Sequence, residues 1–432
     1  MKQMKIRRRI MDIHIPHPKK LSIFMLGVLR IMPTKLKLLI FFTVICIILL
    51  KLNFTTVYTG NNTLELKNFS SVEYSQNYCV IYNYWESKKE YSEGPHITLV
   101  LHATSGYLFY LKKQLMTWTG GISVSVFIPS PHNQSENVVE VLKNQLYLRS
   151  IFSALSSPEG IKLRNSGQIS LHLFFKKKYL QKCPEFVVPE NMHSILGTSF
   201  SDMKDFGDIT EIYPINVARN IARKEVQTAL FISGDIEQFY VENFESRMYE
   251  LAQRILIEEK KKTVLVYRRF ELQQSAPIPK NKTELKYLIA KKEAVEFHTY
   301  YYSIGHRIRN LSEWLDTPEN NHEAHIVDEM LYENREWEPQ FVGDERVPFH
   351  DERFLYRYRA NVQLGLHLCF KNFSFSIVSD LFSMHRGILK KESLKISFIK
   401  FLVKKKKPHV VKKTFKKELI TAYPEMAQIC LI

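Results

Sequence analysis

Short apolar runs that alternate with segments of helical spacing predict an α/β fold, a mostly parallel sheet covered by helices. Three observations carry this. The body beyond residue 95 holds more than 300 residues, enough for one large core. Its apolar runs have the length of strands, and the segments between them repeat apolar residues at helical intervals. No internal repeat and no low-complexity stretch, beyond lysine runs near the end, points to another architecture.

Taken in order, Ile97–Leu101 is the first expected strand. Leu108, Leu111, Leu115 and Trp118 follow at helical spacing. Ile122–Ile128 is a second strand, broken by Pro129. Val138, Leu142 and Leu146 share a helix face, and Ile169–Phe175 is a third strand. Val217 and Ile221 continue a helix, and Thr228–Ser233 is a fourth strand.

The N-terminus places this body. Residues 1–37 hold ten Lys or Arg against one acid, Asp12. A charge-free run follows and reads as a transmembrane anchor over 38–52. From Leu36 to Phe54 it spans about 28 Å as helix, close to the hydrocarbon thickness. The basic side is expected to stay cytoplasmic, and no small-residue cleavage site follows. The chain therefore reads as a type II membrane protein: a basic tail over 1–37, the anchor, a polar stem over 53–95, a body over 96–400 and a basic tail over 401–432. That layout resembles Golgi enzymes.

Asn-x-Ser/Thr sequons at Asn53, Asn61, Asn68, Asn133, Asn281, Asn310 and Asn372 suit a lumenal body; Asn53 lies too close to the membrane to be a good acceptor. Cys79, Cys183, Cys369 and Cys430 would meet an oxidising lumen; they allow three pairings, and their wide spacing does not resemble a zinc site. The net charge of +17 comes largely from the N-terminal tail and from Lys404–Lys407, Lys412, Lys413, Lys416 and Lys417. In a lumenal protein these suit a solvated face, anionic glycans or lipid headgroups, and no nucleic-acid partner is expected.

The most informative stretch is Leu230-Phe231-Ile232-Ser233-Gly234-Asp235-Ile236-Glu237. An apolar run ends in two carboxylates spaced i, i+2. On a strand they would point to one side, at the carboxyl end where open α/β sheets keep their ligands. A divalent cation held there suits a nucleotide diphosphate.

Other segments carry a family resemblance. His96-Ile97-Thr98-Leu99-Val100-Leu101-His102-Ala103-Thr104 and Trp118-Thr119-Gly120-Gly121-Ile122 resemble early strands of glycosyltransferase family 49, which includes glucuronyltransferases of α-dystroglycan. Tyr213-Pro214, followed by Arg219-Asn220, is similar to its Tyr-Pro…Arg-Asn helix. Trp337-Glu338-Pro339-Gln340-Phe341-Val342, Asp351-Glu352-Arg353-Phe354 and Met384-His385-Arg386-Gly387 resemble its C-terminal half. The ordered set covers roughly 96–400 and is more specific than any one motif. The resemblance implies a GT-A fold, a UDP-sugar donor, Mn²⁺, and inverting transfer of glucuronic acid from UDP-glucuronate to a glycan or glycoprotein acceptor.

It also implies roles. Asp235 and Glu237 are metal candidates; the family has Asp at both positions, so Glu237 lengthens one ligand. His385 is the candidate third ligand. Arg219 and Arg223, i and i+4 on a helix, are candidates for the diphosphate or the glucuronate carboxylate, and His102 for the edge of the uracil pocket. Asp351 and Glu352 are candidates for the base that takes the acceptor proton, or else ion-pair partners of Arg353 or Arg357. Where the family has a nearby glycine and asparagine this chain has Tyr358 and Ala360, a one-residue slip restoring Asn361. Tyr358 is expected to narrow the acceptor side or to change the sugar accepted. With Glu237, these departures leave an alternative: a catalytically weak lumenal binding protein.

Overall fold

The computed structural model describes residues 66–88, 96–128, 162, 166–177, 182–189, 212–320, 322–332 and 334–430. The expected cytoplasmic tail and anchor, the start of the stem, and the helix face of Val138, Leu142 and Leu146 lie outside these residues. Among the described residues, no helix is long and apolar enough to cross a membrane.

The chain begins with β1 (Leu66–Ser70), β2 (Val72–Ser75) and β3 (Tyr78–Trp85). β4 (Ile97–Thr104), helix α1 (Leu111–Thr117), β5 (Ile122–Ile128), β6 (Ile169–Lys176) and β7 (Glu185–Pro189) follow. Next are helix α2 (Ile215–Lys224), β8 (Leu230–Ser233), β9 (Phe239–Tyr240), helix α3 (Phe244–Ala252) and β10 (Thr263–Leu272). Helix α4 (Lys282–Ala290), β11 (Ala294–Glu296), helix α5 (Leu311–Asp316), β12 (Ile326–Met330) and β13 (Phe341–Asp344) come after. Helix α6 (Val362–Phe370), β14 (Ser374–Arg386) and helices α7 (Leu394–Lys405), α8 (Pro408–Ala422) and α9 (Ala427–Cys430) complete the chain.

The main sheet runs in the order β12-β14-β10-β13-β8-β4-β5-β6-β3-β2. Its centre, β8-β4-β5-β6, is parallel, and so is the β10–β14 pair. β13 lies antiparallel between β8 and β10, and both rims are antiparallel. The sheet is therefore mixed, not mostly parallel. Only the buried centre has the continuous apolar runs that a parallel strand shows in sequence.

Sequence explains how closely α2 packs. In β5 the alternation Ile122-Ser123-Val124-Ser125-Val126 sends valines to one face and serines to the other. Ser125 Oγ donates to Ala218 O at 2.7 Å and Ser123 Oγ to Ala222 O at 2.6 Å. Small polar residues let the helix backbone approach, and Val217, Ala218 and Ile221 bury against Val80, Phe127 and Phe174.

Two boundaries differ from the expectation. Residues 66–85, read as stem, form strands, and β2 and β3 extend the main sheet. β2 is a short edge strand with no buried residue, whereas β3 is eight residues long and buries Cys79, Val80, Ile81 and Tyr84. Residues 401–432, read as a tail, carry the end of α7 and all of α8 and α9; Phe415 and Leu419 of α8, Met426 in the turn after it and Cys430 of α9 enter a core with Phe354, Leu368 and Phe370. Each such large apolar side chain contributes about 1.5–3 kcal/mol. The lysines occupy the outer face and hid this pattern. Cys79 pairs with Cys183 and Cys369 with Cys430, which selects one of the three open pairings.

Candidate active site

The site forms at the carboxyl ends of β4 and β8, as the ligand rule for open α/β sheets leads one to expect. β8 stops at Ser233, so Asp235 and Glu237 sit in the following turn, not on the strand. Gln114 Nε2 donates to Ile236 O at 2.7 Å and holds that turn. Gly234 is required here by space: a Cβ would lie 2.8 Å from the Tyr240 hydroxyl.

The pairing of β9 with β14 then brings in a distant segment. Phe239 faces Met384 and Tyr240 faces Ser383. This antiparallel register carries the turn holding Glu237 back toward His385. Ser383 Oγ donates to Gln238 Oε1 at 2.8 Å and fastens the junction. His385 stands edge-on to Phe297, and its Nδ1 is buried with no hydrogen-bond partner.

Asp235 is the electrostatic centre. Its Oδ1 lies 3.6 Å from His102 Nε2 and 3.5 Å from Arg219 Nη2, and its side chain remains 37% exposed. Burial raises its pKa, but the His102 imidazole and the Arg219 and Arg269 guanidiniums outweigh burial and hold it well below the usual carboxylate range. Glu237 differs: burial, then the charge of Asp235, pushes its carboxyl up to about 7, with Arg357 pulling the other way. Burial lowers the His102 and His385 pKa values, with Asp235 opposing in each case.

His102 Nδ1 is 3.1 Å from the Tyr213 hydroxyl, and the two rings lie 5.6 Å apart. Tyr356 packs edge-on to Tyr213, and the Arg357 guanidinium lies 4.7 Å from the Tyr356 ring centre. An aromatic wall thus runs from Asp235 to Arg357.

The structure separates the other expected residues. Arg219 faces the site, with Nη1 on Asn216 Oδ1 at 3.3 Å. Arg223 does not. It donates to the carbonyls of Val347 and Pro348 and stacks between Phe231 and Phe349, at 4.1 and 4.4 Å. With both ends used it is a clamp for that loop, not a donor-binding group.

Neither expected base stands free. Arg353 Nε donates to both Asp351 oxygens at 3.0 Å, and Arg353 Nη1 reaches Glu418 Oε1 at 2.8 Å. Glu352 Oε1 accepts from the Tyr74 hydroxyl and from Asn220 Nδ2, the latter at 2.8 Å. These are ion-pair and hydrogen-bond roles. Tyr358 packs against the core beside α6 instead of narrowing the acceptor side, Ala360 is buried, and Asn361 is the residue before α6.

One further acid, which sequence reasoning passed over, has a perturbed carboxyl beside these groups. Glu338 lies in the Trp337-Glu338-Pro339 segment, where Trp337 anchors in the core and Glu338 N donates to Gly305 O at 2.7 Å. Burial pushes its carboxyl up to about 7, against the pull of Arg269, Arg219 and Arg357 and with Asp235 adding to the rise. Arg269, His298 and His306 were passed over too, and Arg357 was named only as an ion-pair partner for Asp351 or Glu352. Arg269 Nη2 lies 2.7 Å from His306 Nδ1, and Arg357 Nε is buried without a partner. The quoted Trp-Glu-Pro motif was the available signal for Glu338; the isolated Arg and His residues had none.

Among the described residues, no three His, Cys, Asp or Glu side chains are arranged to hold a metal ion as they stand. Asp235 is turned onto His102 and Arg219. The donor types suit a divalent cation in kind: two carboxylates on one turn, and the unpartnered Nδ1 of His385 on the strand that turn pairs with.

The expected glycosylation sites divide. Asn61 and Asn133 lie outside the described residues, as does Asn53, and Asn68 is on β1 opposite Val187. Asn281 caps α4, its Oδ1 accepting from Glu284 N at 2.9 Å. Asn310 and Asn372 are exposed, at φ of 57° and 58°.

The mixed α/β sheet gathers acids and arginines at its parallel carboxyl edge, an arrangement that many enzyme classes share. Comparison with known proteins makes the class definite. Residues 96–424 match the family described as glycosyl-transferase for dystroglycan, and the chain belongs to that family; it is a glycosyltransferase. It is 26% identical over 357 residues to beta-1,4-glucuronyltransferase 1 of Mus musculus, with 77% of each chain covered. The Homo sapiens protein of that name is 25% identical over 360 residues, again covering 77% of each. That of Danio rerio is 23% identical over 295 residues, covering 68% of this chain and 66% of its own. Among solved structures, GalNAc-T7 with UDP, GalNAc and Mn²⁺ overlays at a TM-score of 0.37 and 10% identity, over 69% of this chain and 45% of that one.

Proposed function

We propose that this chain is a Golgi type II glycosyltransferase of GT-A architecture that transfers glucuronic acid, with inversion, from UDP-glucuronate to a glycan acceptor in protein glycosylation. The observation that carries the reading is the β9–β14 pairing, which sets Asp235, Glu237 and His385 at one edge of the sheet. The two disulfides suit an oxidising lumen.

In this reading Asp235, Glu237 and His385 would hold a divalent cation such as Mn²⁺, which supplies charge neutralisation for the departing diphosphate. Arg219 and Arg269 hold Asp235 ionised and add positive potential for the nucleotide. Arg357, with a buried Nε lacking a partner, takes the uronate carboxylate. Glu338 takes the proton of the acceptor hydroxyl as its oxygen bonds to the anomeric carbon and the bond to UDP breaks. A carboxyl poised near 7 matches that task.

The test is UDP release by the full chain with a panel of UDP-sugars and a pool of acceptor glycans, in Mn²⁺ or in EDTA. Chelator-sensitive release with UDP-glucuronate supports the reading. Preference for another UDP-sugar removes the glucuronate assignment and keeps the enzyme. Binding of UDP without release from any donor favours the lumenal binding protein, the reading that Glu237 in place of the family's Asp would suit.

A further inference from the structure

Helix α7 carries apolar residues on two faces. Ile399 and Val403 turn inward and are buried. Leu394, Phe398 and Phe401 turn outward, at 90%, 52% and 52% exposure. Their i, i+4, i+7 spacing makes one stripe along the outer face. The Phe398 and Phe401 rings are neighbours, with centres 6.5 Å apart and planes inclined by 29°. Large apolar side chains displayed together in this way mark a contact surface.

The stripe ends in four exposed lysines, Lys404–Lys407, and Lys405 Nζ lies 4.4 Å from the Phe401 ring centre. No acid occurs in α7 or in the turn to α8. The nearest acid before it, Glu392, is paired with Lys400 at 2.7 Å. An apolar stripe bordered by uncompensated lysines matches a bilayer interface, where aromatic and aliphatic groups enter the acyl boundary and ammonium groups meet anionic headgroups. A soluble anionic glycan would use the lysines and leave Leu394 and Phe398 in water. A second copy meeting the same face would bring two lysine runs together.

We propose that the outer face of α7 docks on an anionic lipid surface, with Leu394, Phe398 and Phe401 inserted and Lys404–Lys407 on the headgroups. This is separate from the transferase reading, and from the anchor expected at 38–52.

Hydrogen exchange tests it on the full chain, read on the peptides covering α7. The vesicles are phosphatidylcholine alone, or phosphatidylcholine with about a third phosphatidylserine. A local readout is needed because an anchor would bring the whole chain to either vesicle. Expected is exchange in α7 slowed about tenfold by the anionic vesicles, much less by the neutral ones. The slowing is lost in the double variant Phe398→Ser/Phe401→Ser and weakened when Lys404–Lys407 become Gln. These positions are exposed, and an unchanged Tm shows that each variant is folded. Equal exchange with and without vesicles overturns the proposal and leaves the face to a protein partner. Slowing that persists in the double serine variant overturns it as well.

Discussion

Asp235–Glu237 and Asp351–Glu352 read alike in the sequence: two acids close together in a motif-bearing segment. The structure treats them in opposite ways. Asp351 is closed by Arg353, which also ties it to Glu418 on α8, and Glu352 is held by Tyr74 and Asn220. Asp235 meets His102 and the Arg219 guanidinium through one oxygen only, at 3.6 and 3.5 Å, and keeps 37% of its side chain exposed. Glu237 has its carboxyl pushed up to about 7. The first pair retains binding capacity, and the second has spent its capacity on holding loops to helices. Two neighbouring acids therefore indicate chemistry only once their partners are known.

The hardest test of this contrast is Asp235→Asn. It should cut transfer by about a thousandfold, since charge stabilisation at the diphosphate is worth several kcal/mol. Residual activity near wild type would break the contrast.

Glu338→Gln should cost about 10²- to 10⁴-fold in kcat. It should also remove an acidic limb near pH 7 from the pH–rate profile. The same carboxyl has a signature in stability. Its folded pKa of about 7 lies above the ordinary 4.5, so the folded state holds a proton that the unfolded chain releases first. Wild type thus loses stability as pH rises from about 4.5 to about 7. Relative to wild type, Glu338→Gln should gain stability across that window, read by urea unfolding at several pH values.

Cys369→Ser bears on the locked pair, because Cys369–Cys430 secures the C-terminal helices, among them α8, which carries Glu418. A loss of about 2–5 kcal/mol in unfolding free energy is expected. The smallest effect belongs to Asp351→Asn. Arg353 is 45% exposed, so breaking the pair should cost about 1 kcal/mol or less, with kcat little changed.

The legible parts of the fold were those with two-sided burial. Ile122–Ile128 matches β5, and Ile169–Phe175 matches β6 to within a residue. β2 looked polar because it is a short edge strand with no buried residue, and the apolar run of β3 lay inside a segment read as stem; the C-terminal helices were masked by lysines on their outer faces. Asp235, Glu237, Arg219, His102 and His385 were legible through motif order, and the structure gathers them at one edge. Arg223 misled because helical spacing gives a face and not the neighbour it meets: Phe231 and Phe349 claim it. Glu338, Arg269 and Arg357 reach the site from separate elements, and no local spacing connects them.

The most direct measurement compares UDP release from UDP-glucuronate by wild type, Asp235→Asn and Asp351→Asn, with Mn²⁺ and an acceptor glycan pool, each variant first shown to be folded by its Tm. Release lost in Asp235→Asn and kept in Asp351→Asn is the expected result. Release kept in Asp235→Asn and lost in a folded Asp351→Asn would place the working acid in the other segment and contradict the assignment.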